Sequence, residues 1–248
     1  MDYDKFDIAS RYDKVREQSP ELQQRWLDLV QRQIFDHEVR RIIDLGCGTG
    51  RFSNALAQQF NAEIIGIDRS EEMLEQARAK YPDRVSFVRG SAEQLPVTDG
   101  SVDLIFISMV LHHLKDLPSV ARECHRTLAE GGLAAIRNST ANAGLIYEKF
   151  FPTVSSMIAR ELPSRELIEE SFTGAGFKLA THEIVQQEMA ANWIKYADRI
   201  GSKADSFIMR LSDQEFEEGM ENLRTYALTA DPREKVLESI DFFAFRKL

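Results

Sequence analysis

The run RRIIDLGCGTGRF (40–52) closes an apolar stretch with Asp44 and then sets glycine at 46, 48 and 50. RIIDL (41–45) reads as a short buried strand. RFSNALAQQF (51–60) places Phe52, Leu56 and Phe60 at i, i+4 and i+8, which predicts a helix that begins at the glycine turn. Glycine permits positive φ and close approach of backbone to a ligand. A helix start presents free N–H groups to an anion. Strand, glycine turn and helix start together predict a site for a nucleotide-like ligand. A dinucleotide fingerprint, Gly-x-Gly-x-x-Gly, needs glycine at 46, 48 and 51, but position 51 is Arg. The Asp-x-Gly-x-Gly-x-Gly seen here suits another cofactor.

The same alternation recurs downstream of the turn. AEIIGID (62–68), RVSFVRG (84–90), SVDLIFISMV (101–110) and LAAIRN (133–138) read as further strands. Ser70 caps an intervening helix that carries Glu71 and Glu72 in its first turn. Leu117, Val120, Ala121, Cys124 and Leu128 form another amphipathic helix, expected to stop at Gly131-Gly132. Strands alternating with helices over 40–138 predict an α/β fold: a Rossmann-like, doubly wound, mostly parallel sheet whose ligand lies beyond the C-terminal strand ends. Residues 20–37 should precede it as a helix. An aromatic-rich helix over 141–162 and a helix over 164–177 should come after it. Residues 178–188 and 236–248 should close the sheet, the last as an antiparallel strand. Between them, Trp193, Ala197, Ile200, Ala204, Phe207, Ile208 and Leu211 form one helical pattern, and Phe216, Met220, Leu223 and Ala227 a second. The organisation expected is one domain, 1–189 with 231–248, interrupted by a helical cap at 190–230.

Composition narrows the function classes. A formal net charge of −9 argues against an extended nucleic-acid surface. Cys47 and Cys124 are too few for a disulfide framework or a zinc pattern, so no metal is expected. Two free thiols, no apolar leader in MDYDKFDIAS and no apolar run of membrane-spanning length predict a cytoplasmic protein without a membrane span. Monomer and homodimer stay open.

Several motifs in order resemble the class I S-adenosylmethionine-dependent methyltransferases, in the small-molecule branch (methyltransferase type 11) that includes quinone-biosynthesis enzymes. FDIASRYDKVR (6–16) looks like the family's segment that folds over the cofactor. DLGCGTGR (44–51), GIDRSEEML (66–74), GSAEQLP (90–96), FISMVLHHLKD (106–116) and RECHRTLAEGGLAAI (122–136) match its successive motifs. The resemblance implies S-adenosyl-L-methionine as cofactor and S-adenosyl-L-homocysteine as product. It also implies roles. Asp44, with the backbone of Leu45, Gly46 and Gly48, holds the methionine end. Asp68 accepts from the ribose hydroxyls, a task suited to a carboxylate, which has two oxygens and no donor. Arg69 and Met73 flank the adenine, Ala92 and Glu93 meet its edge, Ser108 lies beside the sulfonium, and Tyr12 touches the cofactor's rim.

The substrate side is less marked. His112 and His113 come after the fourth strand and are the candidates for a general base, although alignment and exclusion of water leave a base optional. Arg137, at the end of the fifth strand, is a candidate contact for a substrate carboxylate or phosphate. Tyr147, Phe150, Phe151, Trp193 and Tyr196 are candidate walls of a chamber under the cap. Lys195, Arg199 and Lys203 read as a solvated stripe, and His37, His125 and His182 as surface or structural. The fourth motif lacks Asn/Asp-Pro-Pro-Tyr, which disfavours methylation of DNA adenine or protein glutamine. The reading is methyl transfer to oxygen, carbon or nitrogen of a small organic acceptor. A non-catalytic binder of the cofactor and a nicotinamide dehydrogenase stand as alternatives.

Overall fold

The computed structural model describes residues 20–34, 38–81, 83–203 and 205–248. Tyr12, the segment 6–16, His37 and Ala204 lie outside them. Helix α1 (Pro20–Ile34) leads into β1 (Arg41–Leu45), α2 (Arg51–Phe60), β2 (Glu63–Asp68), α3 (Glu71–Lys80), β3 (Val85–Arg89), β4 (Val102–Ser108), α4 (Leu117–Thr127) and β5 (Leu128–Asn138). Then come α5 (Pro152–Glu161), α6 (Arg165–Gly174), β6 (Phe177–Ala190), α7 (Trp193–Gly201), α8 (Asp213–Thr229) and β7 (Val236–Lys247). The seven strands form one sheet in the order β3-β2-β1-β4-β5-β7-β6, parallel except for β7, which is antiparallel to both of its neighbours. This is the Rossmann-like sheet that the alternation predicts.

Successive residues of a strand point to opposite faces, and here both faces are apolar. Ile43, Leu45, Ile105 and Ile107 face α4 and α6, while Ile42, Leu104 and Phe106 face α1 and α2. Burial of both faces explains why these strands read as continuous apolar runs.

Three local expectations are corrected. Helix α4 ends at Thr127, not at the glycines, because Leu128 is extended (φ −71°, ψ 141°) and the Thr127 hydroxyl donates back to the Glu123 and Cys124 carbonyls. Gly131 and Gly132 instead lie inside β5, where the pairing with β4 slips between Val102 and Leu104. The helix expected over 141–162 is a short turn at Ile146–Lys149 followed by α5, because Pro152 opens a new helix rather than continuing an old one. The pattern from Trp193 to Leu211 breaks after Gly201: Lys203 takes a left-handed φ of 54°, and the Asp205 carboxylate accepts from the Phe207 amide at 2.9 Å to start a new turn.

Helices α7 and α8 interrupt the β6–β7 hairpin. They pack with α5 and the 146–149 turn around a second apolar cluster that includes Phe150, Phe151, Trp193, Phe216 and Met220. This cluster stands over the C-terminal ends of β4 and β5.

Candidate active site

The three glycines of the first turn meet different surroundings. A Cβ at Gly46 (φ 72°) would lie 2.6 Å from the Val110 side chain, and one at Gly50 (φ 78°) 2.6 Å from the Phe87 ring. Those two glycines make room for the protein itself. Gly48 (φ 53°) has nothing within 4 Å of where its Cβ would be, and it borders two adjoining cavities.

The larger cavity, of about 390 Å³, runs along the ends of β1, β2 and β4. Leu45, Gly46, Gly48, Asp68, Arg69 and Met73 line it, as do Ala92, Ser108 and His113. The turn is stitched to β2: the Gly46 and Cys47 amides both donate to the Ile67 carbonyl, at 2.7 and 3.1 Å. The Asp68 carboxylate accepts from the Gly48 amide and the Ser70 amide, each at 2.9 Å. Two of its roughly four acceptor positions stay available on the cavity side. A carboxylate held by backbone N–H groups beside an open glycine is the donor and acceptor set a ribose requires, so these residues fit an adenosyl group. Two expectations change. The amides of Gly46, Cys47 and Gly48 are already used within the chain and are not free for the cofactor's carboxylate. Glu93 does not line the cavity; it is exposed and its carboxylate binds the Ser91 hydroxyl.

The smaller cavity, of about 140 Å³, lies under the cap and shares Gly46, Gly48, Ser108 and Met109 with the first. Asp44 lines it, 2% exposed, accepting from the Ser53 hydroxyl at 2.5 Å. Burial pushes the Asp44 carboxyl up to about 7, with the Asp68 charge adding to the rise. Arg137 is 2% exposed; it donates to the Ser108 hydroxyl at 3.1 Å and to Gln187 Oε1 at 2.6 Å, and its guanidinium stands 4.8 Å over the Trp26 ring. It therefore ties β5 to β4 and β6 and stands at the junction of the cavities. The turn at Leu111–His113 divides the two histidines: His112 lines the smaller cavity and His113 the larger. Their rings lie 3.9 Å apart, and the turn hangs from the Asn138 side chain through the Leu111 amide at 3.2 Å.

Of the aromatic candidates, Tyr147 and Tyr196 line the smaller cavity. Phe150, Phe151 and Trp193 do not. Trp193 packs on Phe150 and Tyr226, and Phe151 stacks on Phe216, so all three hold the cap together. The basic stripe also splits. Lys195 is exposed and Lys203 pairs with Asp213 at 3.1 Å, but Arg199 lines the cavity and donates to the Met189 carbonyl at 2.9 Å.

Gln187, Asp205 and Glu238 join the cavity wall without having been singled out in the sequence. Gln187 and Glu238 are cross-strand partners on β6 and β7. The signal was present: Val236-x-Glu238-x-Ile240 and Val185-x-Gln187-x-Met189 each put a polar residue where alternation calls for an apolar one. Burial pushes the Cys47 thiol well above its ordinary value, which disfavours the thiolate that a nucleophile needs.

Comparison with known proteins agrees with this geometry. Residues 43–136 match the family model described as a methyltransferase domain. That stretch is similar to a methyltransferase domain and takes in the glycine turn, Asp68 and Ser108. The chain is 36% identical over 140 residues to the biotin biosynthesis bifunctional protein BioHC of Cellvibrio japonicus, covering 56% of this chain and 27% of that protein. It is 35% identical over 128 residues to the malonyl-[acyl-carrier protein] O-methyltransferase of Xylella fastidiosa, covering 50% and 43%. The chain thus spans less than half the length of these two relatives. Among solved structures, the [4+2]-cyclase SpnF superposes with a TM-score of 0.64 at 20% identity, covering 91% of this chain and 80% of that one; the likeness is one of fold.

Proposed function

We propose that the protein transfers the methyl group of S-adenosyl-L-methionine to a small organic acceptor held under the cap. One observation carries the reading: the Asp68–Gly48 clamp borders a long cavity that meets a second, smaller one at Ser108. A cofactor with its adenosyl group in the first and its methionine end reaching Asp44 in the second would supply an electrophilic methyl carbon at that junction. Asp68 would hold the ribose, Met73 and Ala92 the adenine, and Asp44 the amino group of the methionine end. Arg137, fixed by Ser108 and Gln187, would set one wall of the junction. The cap residues 190–230 would exclude water and select the acceptor. Holding both partners in line is enough to supply about 7–11 kcal/mol of barrier reduction in favourable cases.

The acidic chain suits a small-molecule acceptor better than nucleic acid, and its two free thiols suit a reducing, cytoplasmic setting. The test is incubation with S-adenosylmethionine and a cell extract, followed by mass spectrometry. Methylated products together with S-adenosylhomocysteine are expected. Tight binding of the cofactor with no product from any extract would make the protein a binder rather than an enzyme.

A further inference from the structure

The chamber under the cap holds polar groups that the chain leaves unsatisfied. Tyr196 is 1% exposed, lines the chamber, and its hydroxyl has no hydrogen-bond partner among the described residues. A buried hydroxyl without a partner costs about 1–3 kcal/mol, so such groups are rare unless something else meets them. Glu238 lines the same chamber at 5% exposure. Among the described residues no cation forms a salt bridge with it.

The groups facing Glu238 explain why. Arg137 is held by Ser108 and Gln187, and Arg199 donates to the Met189 carbonyl. Asp205, on the loop after α7, adds negative charge. It accepts from the Tyr147 hydroxyl at 2.6 Å and the Phe207 amide at 2.9 Å, so Tyr147 is satisfied where Tyr196 is not. A buried carboxylate is normally paired with a cation. Arg199 and Arg137 line the same chamber and favour the charged form of Glu238, but neither forms a salt bridge with it.

We propose that Tyr196 and Glu238 form an ammonium subsite, and that the methyl acceptor is a small aliphatic amine: one ammonium proton passes to the Glu238 carboxylate, the freed nitrogen lone pair bonds the methyl carbon as the bond from that carbon to sulfur breaks, and S-adenosylhomocysteine leaves. An ammonium group donates to the carboxylate and to the phenol oxygen together, which satisfies both and neutralises the buried charge. An alcohol of the same size can donate one hydrogen bond but brings no charge to the carboxylate. The volume of about 140 Å³ limits the acceptor to a small molecule. The proposal rests on the methyl-transfer reading for the amine's role as acceptor, while the subsite itself is open to direct measurement.

The measurement is calorimetric titration of the full chain with propylamine and with its uncharged analogue propan-1-ol, each with and without saturating S-adenosylhomocysteine. Propylamine should bind at least about tenfold more tightly than propan-1-ol, as expected for one buried charge pair. Glu238→Gln should abolish that preference, and Tyr196→Phe should weaken propylamine several-fold. Retained binding of S-adenosylhomocysteine reports that each variant is folded. Equal affinity for the two probes, no binding of propylamine to a protein that binds S-adenosylhomocysteine, or an undiminished preference in the folded variants would overturn the subsite. Failure of S-adenosylhomocysteine to bind the wild type would instead overturn the methyl-transfer reading, and the propylamine preference measured without it would still decide the subsite.

Discussion

The two halves of the cleft are built by different means. The half bordered by β1, β2 and β4 is made of backbone: glycines with positive φ, amides stitched to Ile67 and Asp68, and apolar strand ends. The half under the cap is made of side chains that converge from β5, β6, α7 and β7, with Arg137, Gln187, Tyr196 and Glu238 at its centre. The first half has few ways to vary, since its contacts come from backbone and glycine positions. The second can change residue by residue without disturbing the sheet. The contrast teaches where binding of a common cofactor and choice of acceptor separate physically.

Substitutions should separate the halves as well. Asp68→Ala removes an acceptor that holds two amides of the clamp. At about 1.5–3 kcal/mol for each charge-assisted bond lost, S-adenosylhomocysteine affinity should fall about 100-fold or more by calorimetry. The preference for propylamine should survive. Gly46→Ala should destabilise the fold by about 2–3 kcal/mol in urea titration, because it adds left-handed strain to an overlap with Val110. Gly48→Ala, with open space around it, should cost about 1 kcal/mol of stability yet weaken the cofactor more than its strain explains. In the other half, a side chain at Gly219 would overlap the Phe151 ring. Gly219→Ala should therefore loosen the cap by about 1–3 kcal/mol, lowering the melting temperature and methyl transfer while leaving S-adenosylhomocysteine affinity unchanged. Loss of cofactor affinity in Gly219→Ala would erase the division between the halves.

The smallest effect is on pH. Burial raises Asp44 from 3.8, and Glu238 from 4.5, to about 7. The folded state then binds more protons than the unfolded state between those values. The contribution of these two carboxyls to stability should be full below about pH 4, fall as pH rises toward 7, and level off above it, by at most about 1.4 kcal/mol per pH unit for each. Asp44→Asn and Glu238→Gln should each flatten that slope in melting curves recorded across the range. A wild-type stability that rises through the window would show that both carboxyls are ionised and paired in the fold.

The same division decides what the sequence made legible. Glycine spacing, β-branched runs and helical periods report local conformation, so β1 to β5 were readable from order alone, while Asp44, Asp68 and Ser108 were pointed to by the resemblance and line the two cavities. The cap was readable as helices but not as contacts. Phe150, Phe151 and Trp193 are apolar, and composition does not tell a cavity wall from a core; packing made them core. Arg199 shares a helical stripe with Lys195, yet α7 turns it toward the cavity. Glu238 and Gln187 betrayed themselves only as breaks in a period-two pattern. Pro152 and Lys203 ended helices that apolar spacing alone had extended.

The central claim is that the cavity between the first glycine turn and Asp68 holds an adenosyl group, with its sulfur at the mouth of the cap chamber. A crystal grown with S-adenosylhomocysteine tests it most directly. The prediction is density with both ribose hydroxyls on Asp68, the adenine between Met73 and Ala92, and the sulfur beside Ser108. Density confined to another groove, or that cavity empty at saturating ligand, would contradict it.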